Sequence, residues 1–291
     1  MQILLTGATG YVGKRLLPIL VTEGHDVICC VRDKQRFFCP KELEKKVKVI
    51  EVDFLKKETL ENIPKNIDAA YYLIHSMSGS ASNYDELEYL SAQNFVERVN
   101  LTNAKQVIYL SGIVNDESLS KHLSSRKAVE QVLNTGTFAT TTLRAGIIVG
   151  SGSASFEIIR DLVQKLPVMI TPKWLNTKCQ PIAIGDVLDF LMKSLLNPLT
   201  YKQSFDIGGP DILTYKEMLL DFAKAINLKR YIYTIPVMTP KLSSYWLYFV
   251  TSTSYKLASA LVSSMKVEVI CRDNSINSIL NVTPMPYELA L

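Results

Sequence analysis

Eight residues near the N-terminus, Thr6-Gly7-Ala8-Thr9-Gly10-Tyr11-Val12-Gly13, constrain this chain more than any other stretch. An apolar run, Ile3–Thr6, leads into them, and an amphipathic stretch, Tyr11–Thr22, leads out. Glycines three apart between a strand and a helix allow a sharp turn at Gly7, a close backbone approach at Gly10 and tight helix–sheet packing at Gly13. The helix N-terminus then presents N–H groups and a positive dipole end to a phosphate. A second strand-like run, Val27–Val31, falls within the ~30 residues of a strand–helix–strand unit. The spacing therefore predicts a dinucleotide whose pyrophosphate rests on Gly7, Thr9, Gly10, Tyr11, Val12 and Gly13.

The same rhythm continues. Strand-like runs recur at Val47–Val52, Ala69–Ile74, Gln106–Leu110 and Ala139–Leu143, with helix-like stretches such as Asp85–Asn100 and Leu123–Asn134 between them. Alternating strands and helices with right-handed crossovers predict an α/β fold, a doubly wound parallel sheet of the Rossmann kind. After Gly150 the pattern changes. A loop of small residues, Ser151–Ser155, precedes a helical stretch, Phe156–Leu166. A short strand is expected at Pro181–Ile184, a helix at Asp186–Leu196 and a strand at Phe205–Ile207. Thr214 with Glu217 has the pattern of a capping box. From Tyr231 onward the Pro-, Tyr-, Ser- and Leu-rich sequence suggests a small helical lobe. The expected organisation is a dinucleotide domain over 1–150, to which 178–208 returns, and a smaller, mostly helical, substrate-side lobe from 151–177 and 209–291. The closing Pro286–Leu291 opens a helix without ending it, which suggests a piece of a longer chain.

A net charge of +4, with lysines and acids interspersed, leaves no basic stripe for nucleic acid. The cysteines, Cys29, Cys30, Cys39, Cys179 and Cys271, show no Cys-x-x-Cys pair and no zinc spacing, so no metal is expected. Buried free thiols and the lack of room for a leader before the first strand suggest a cytoplasmic protein. Tyr245–Val262, the most apolar long stretch, is interrupted by Thr251, Ser252, Thr253, Ser254 and Lys256 and so is not a membrane span. The Trp/Tyr/Leu-rich Leu242–Val262, near Lys241, Lys256 and Lys266, leaves peripheral contact with a membrane as an expectation.

Further residues match a known pattern in order: Val31-Arg32-Asp33, Val52-Asp53-Phe54, Tyr109-Leu110-Ser111, Leu143-Arg144-Ala145 and Pro181-Ile182-Ala183-Ile184-x-Asp186-Val187. With the glycine turn they resemble the extended and atypical short-chain dehydrogenase/reductase superfamily over about residues 1–225. The likeness is to NmrA-like and nucleoside-diphosphate-sugar-epimerase-like members, and to the nucleotide-binding accessory subunit of respiratory complex I. The resemblance implies that Arg32 turns toward the cofactor ribose. Guanidinium suits the 2′-phosphate of NADP, so NADP is expected with NAD possible. Asp53, with Phe54, is implied to meet the adenine. The local alternative for Asp53 is an N-cap.

In one respect the sequence departs from the pattern. Reductases of this superfamily carry Tyr-x-x-x-Lys on the helix after the fifth strand. Here that helix reads Lys121-His122-Leu123-Ser124-Ser125-Arg126-Lys127, and no tyrosine occurs between Leu110 and Thr200. One register puts His122 and Arg126 at the paired positions. A shift by one puts Leu123 and Lys127 there. His122 has the chemistry of a proton donor near neutral pH. His75, ending the fourth strand, is expected at the cleft, and Ser111 is implied to hold substrate. The candidate catalytic set is thus Ser111, His122, Arg126 and His75, with the loop Gly150–Ser155 nearby. Two functions fit. One is an NAD(P)H-dependent oxidoreductase or epimerase-like enzyme acting on a small-molecule substrate. The other is a non-catalytic NADP(H)-binding redox sensor or assembly subunit.

Overall fold

The computed structural model describes residues 1–74, 84–113, 121–235, 265 and 267–291. It divides into two units. The first comprises Met1–Ser111, Ser124–Arg144 and Leu188–Phe205, and the second Gly112–Leu123, Ala145–Val187 and Asp206–Leu291.

In the first unit, β1 (Gln2–Leu5), β2 (Asp26–Val31), β3 (Val47–Glu51), β4 (Ala69–Tyr72), β5 (Gln106–Gly112) and β6 (Ala139–Ala145) form one sheet with β11 (Gln203–Ile207). The strand order is β11-β6-β5-β4-β1-β2-β3. The pairs β1–β2, β1–β4, β2–β3 and β4–β5 are all parallel. The order reverses between β1 and β4, and a ligand crevice in such a sheet lies beyond the strand ends at that switch. β1 and β4 are apolar along nearly their whole length and lose almost all their exposure, as strands covered on both faces must. The helices are α1 (Tyr11–Thr22), α2 (Tyr84–Val99) and α3 (Lys121–Leu133). One core cluster fills the space between helices and sheet, with Tyr72 edge-on to Phe95 at 4.8 Å between ring centres. Thr6 pins the switch point, because its hydroxyl donates to Tyr71 O at 2.9 Å and accepts from Leu73 N at 3.1 Å.

A polar pair steadies the far side of the sheet. Arg144 at the end of β6 meets Glu130 through Nε at 3.1 Å and Nη2 at 2.6 Å, and Ser204 donates to the same carboxylate at 2.6 Å. Arg144 is thus half of an ion pair with Glu130 of α3. Asp186 accepts from Met285 N at 2.9 Å.

The second unit has its own core, in which α4 (Ala154–Lys165) packs on α6 (Tyr215–Ala225), with Phe156 edge-on to Phe222 at 5.4 Å. The capping box forms: Thr214 Oγ1 accepts from Glu217 N at 3.1 Å while Glu217 accepts from Thr214 N at 2.7 Å. Short strand pairs join these helices: β7 (Ile148–Val149) with β10 (Ile182–Ala183), β9 (Lys178–Cys179) with β12 (Leu213–Thr214), and β8 (Val168–Pro172) with β13 (Tyr231–Ile235). The helix α5 (Ile184–Lys193) follows β10. β13 corrects the expectation of helix from Tyr231 onward. Tyr-Ile-Tyr-Thr-Ile alternates in exposure with a period of two, which β-branched and aromatic residues favour over a helical period. Leu242–Val262 lies outside the described residues, and no helix among them is long and apolar enough to cross a membrane.

The five cysteines are free. Burial pushes the thiols of Cys29, Cys179 and Cys271 up to about 12, and that of Cys30 further. Cys39 is raised by the same cause but is only half-buried. Thiolate is the reactive form. Native protein at pH 8 should therefore alkylate first at Cys39, and the others should label only on unfolding. Peptide mapping after a timed iodoacetamide pulse checks this. Early labelling of Cys179 would contradict it.

Candidate functional site: a dinucleotide turn at the sheet switch point

Gly7 leaves β1 with φ +66°, and a Cβ there would lie 2.4 Å from Leu73 O. Both facts demand glycine, since a side chain costs energy in the left-handed region and has no room beside β4. Gly13 is fixed for a different reason, because a Cβ would sit 2.3 Å from Gly7 O. Helix α1 is therefore drawn against the turn. Between them Gly10 N donates to Gly7 O at 2.8 Å and closes the loop. Gly10 precedes α1 with no side-chain cap, and a Cβ there would meet only Gly7 O, at 3.1 Å. Among the described residues nothing else lies within 4 Å of that position. The first turn of α1 carries no acid, so nothing on the helix competes with an anion for its N–H groups and dipole. Thr9 and Gly10 are exposed, and Tyr11 and Val12 half-buried. These features fit a pyrophosphate.

Arg15 was not legible as part of this turn. Its guanidinium stacks over the Tyr11 ring at 4.0 Å and donates to Tyr11 O at 3.1 Å. The spacing of four between Tyr11 and Arg15 was the available signal. It brings a cation to the mouth of α1.

The end of β2 sorts its charges. Asp33 accepts from Gln35 N at 2.9 Å and pairs with Arg36 at 3.3 Å. Arg32 is exposed, and its guanidinium has no carboxylate partner among the described residues. The acid that would suit a ribose 2′-hydroxyl is thus already engaged, and the cation beside it is left for an anion. After β3, Asp53 accepts from Leu55 N at 3.0 Å through one oxygen. The helical turn that follows, Lys57–Asn62, is flanked by Lys56. Asp53 therefore closes its own short turn rather than capping a helix. The Phe54 ring is buried on Phe95, 5.6 Å between centres, and belongs to the core rather than to a ligand surface.

At the end of β5, Ser111 is buried, and burial also raises the pKa of the Tyr109 phenol. Tyr109 also donates to Arg126 O at 3.4 Å, and Arg126 Nη1 donates to Leu110 O at 3.4 Å. Tyr109 and Leu110, the two residues before Ser111, are thus tied to Arg126. Residue 126 turns toward the sheet while Lys127 is exposed. His75 lies outside the described residues, as does the side chain of His122. The Gly150–Ser155 loop belongs to the second unit, where Ser153 donates to Ile148 O at 2.7 Å and Gly152 N to Glu157 at 2.8 Å.

A parallel sheet with a glycine turn at its switch point defines a dinucleotide-binding Rossmann protein. The chain belongs to the NAD(P)H-binding family, whose profile matches residues 7–155. It is similar, at 22% identity over 227 residues, to divinyl chlorophyllide a 8-vinyl-reductase, chloroplastic, of Arabidopsis thaliana, covering 72% of this chain and 54% of that one. The chain thus spans about half the length of that relative. It is also similar to the photosystem II assembly factor Ycf39 of Guillardia theta, at 23% identity, covering 92% of this chain and 85% of that one. Among solved structures, the NADPH-dependent quinone oxidoreductase of Escherichia coli, complexed with NADPH, superposes with TM-score 0.79 at 14% identity, covering 99% and 98% of the two chains. The triphenylmethane reductase of Citrobacter sp., complexed with NADP(H), gives 0.78 at 15%, covering 100% and 98%. A nucleoside-diphosphate-sugar epimerase of Staphylococcus aureus gives 0.78 at 16%, covering 99% and 98%. The fold is thus the one these three structures share.

Proposed function

We propose that this protein is an NADP(H)-dependent reductase of small molecules that works without a Tyr-x-x-x-Lys pair. The observation that carries the reading is Arg32: an exposed guanidinium with no acid of its own, beside an aspartate already engaged. That arrangement selects a 2′-phosphate over a 2′-hydroxyl. The first-turn amides of α1 hold the pyrophosphate, and one Asp53 oxygen is available to the adenine amino group. When bound, NADPH supplies the hydride. The chain supplies the rest. The Ser111 hydroxyl holds the substrate oxygen at the mouth of β5. The cation of Arg126, tethered to Leu110 O, stabilises negative charge growing on that oxygen. His122, four residues before Arg126 and so on the same face of α3, delivers the proton. Tyr109 is not the donor in this reading, because its phenol is buried, is raised in pKa by that burial and donates to Arg126 O. Cytoplasmic placement and freedom from nucleic acid are part of this reading.

Stopped-flow hydride transfer from NADPH to a panel of quinones, aldehydes and nucleotide sugars tests it. Oxidation of bound NADPH by at least one class supports the proposal. A second reading, an NADP(H)-binding assembly or sensor protein, is favoured by the near full-length similarity to the Ycf39 assembly factor. Tight NADPH binding with no oxidation across the panel would select it.

A further inference from the structure

The β8–β13 ribbon is inside out. Its strands pair in parallel register, Val168 opposite Tyr231 and Ile170 opposite Tyr233. A ribbon with one covered face should point apolar side chains inward and polar ones to water. Here the inward set is Met169, Thr171, Ile232 and Thr234, all buried or half-buried, and the two threonine hydroxyls lie 3.5 Å apart. The outward set is Val168, Ile170, Tyr231, Tyr233 and Ile235, each between 37% and 61% exposed. Both polar side chains of the two five-residue strands, apart from the tyrosine hydroxyls, are turned to the protein. Every side chain of the outward row is aliphatic or aromatic.

The ends of the ribbon are cationic. Lys173 follows β8, and Lys229 and Arg230 precede β13. No acid occurs in 166–175 or 228–235. Lys173 and Lys229 are exposed and make no ion pair with a described residue. Arg230 spends its guanidinium on the carbonyls of Val163, Lys229 and Gln164, so its charge is not neutralised. An apolar, tyrosine-bearing row between unneutralised cations matches an anionic bilayer surface. Tyrosine rings sit at headgroup depth, aliphatic tips reach the acyl boundary, and lysines meet phosphates. Strands of five residues are too short to span, since a crossing strand needs about nine.

We propose that the outward face of the β8–β13 ribbon seats this protein on an anionic membrane surface. The proposal does not depend on whether the protein turns over NADPH. It gives the expectation of peripheral membrane contact a surface within the described residues.

Flotation of the full chain with phosphatidylcholine vesicles, with and without about 30% phosphatidylglycerol, tests it. Binding is expected to the anionic vesicles and to weaken with salt. The double variant Lys173→Glu/Lys229→Glu should lose at least about 25-fold, near fivefold per removed cation. Ile170→Ser/Tyr233→Ser should lose at least about tenfold. Both sets of changes are on exposed side chains, and retained NADPH binding would show that the variants fold. Equal binding by wild type and both variants would place membrane contact elsewhere and overturn the proposal. So would absence of binding. Sedimentation velocity without vesicles supplies the rival outcome: a dimer dissolved by Ile170→Ser/Tyr233→Ser, with no vesicle binding, would make the face a contact between copies.

Discussion

His122→Ala is expected to slow NADPH oxidation by about 10²–10⁴, the usual worth of a positioned general acid, while the dissociation constant for NADPH stays within about twofold. The split follows from the two ends of the site. In the proposed mechanism cofactor affinity rests on Gly7–Gly13 and Arg32, whereas proton delivery rests on α3. The tethering of Arg126 to Leu110 O fixes which face of α3 meets β5. Single-turnover hydride transfer with each variant separates binding from chemistry. A tyrosine whose replacement alone abolished turnover would show that the proton comes by another route. An unchanged rate in His122→Ala would make the histidine a bystander.

Gly13→Ala is expected to be among the most damaging single methyl additions to the described residues. Its Cβ would lie 2.3 Å from Gly7 O, 2.9 Å from Gly7 C and 3.0 Å from Ala8 Cα. All three are backbone atoms of the turn that receives the pyrophosphate, so relief requires α1 to retreat. Overpacking of this kind costs about 1–3 kcal/mol. The retreat also carries the first-turn N–H groups off the phosphate, so NADPH affinity should fall by more than tenfold. Thermal melts with and without NADPH read both effects. Gly24→Ala is the control, because its added Cβ meets nothing within 4 Å although its φ is +85°. It should cost only backbone strain, about 1–2 kcal/mol, and leave cofactor affinity alone. If Gly13→Ala bound NADPH as wild type does, the helix end would not be the pyrophosphate seat.

The sequence was most informative where a local rule and the global fold demand the same residue. The glycine spacing was legible because Gly7 and Gly13 are closed by backbone rather than by a replaceable side chain. The strands of the sheet announced themselves as short apolar runs, since both of their faces are covered. The helix α1 was legible to its ends, despite Pro18 within it. Legibility failed where side chains choose among equal local options. Asp53 has the chemistry of a helix cap and spends it on a two-residue turn instead. Phe54 sits beside Asp53 in the motif, but the turn after β3 places its ring against Phe95. β8 and β13 pair across more than sixty residues, and no local signal carries so distant a partner. The Arg15–Tyr11 stack follows from helical spacing and was hidden only because arginine at that position also suits a solvated face.

The central claim is that this turn and Arg32 together hold NADP(H) in preference to NAD(H). Titration calorimetry of the wild-type chain and of Arg32→Ala with NADPH and NADH tests it most directly. The account predicts tighter NADPH binding by at least about tenfold in the wild type, an advantage lost in Arg32→Ala with NADH affinity unchanged. Equal affinities in the wild type, or an NADPH preference that survives the substitution, would contradict it.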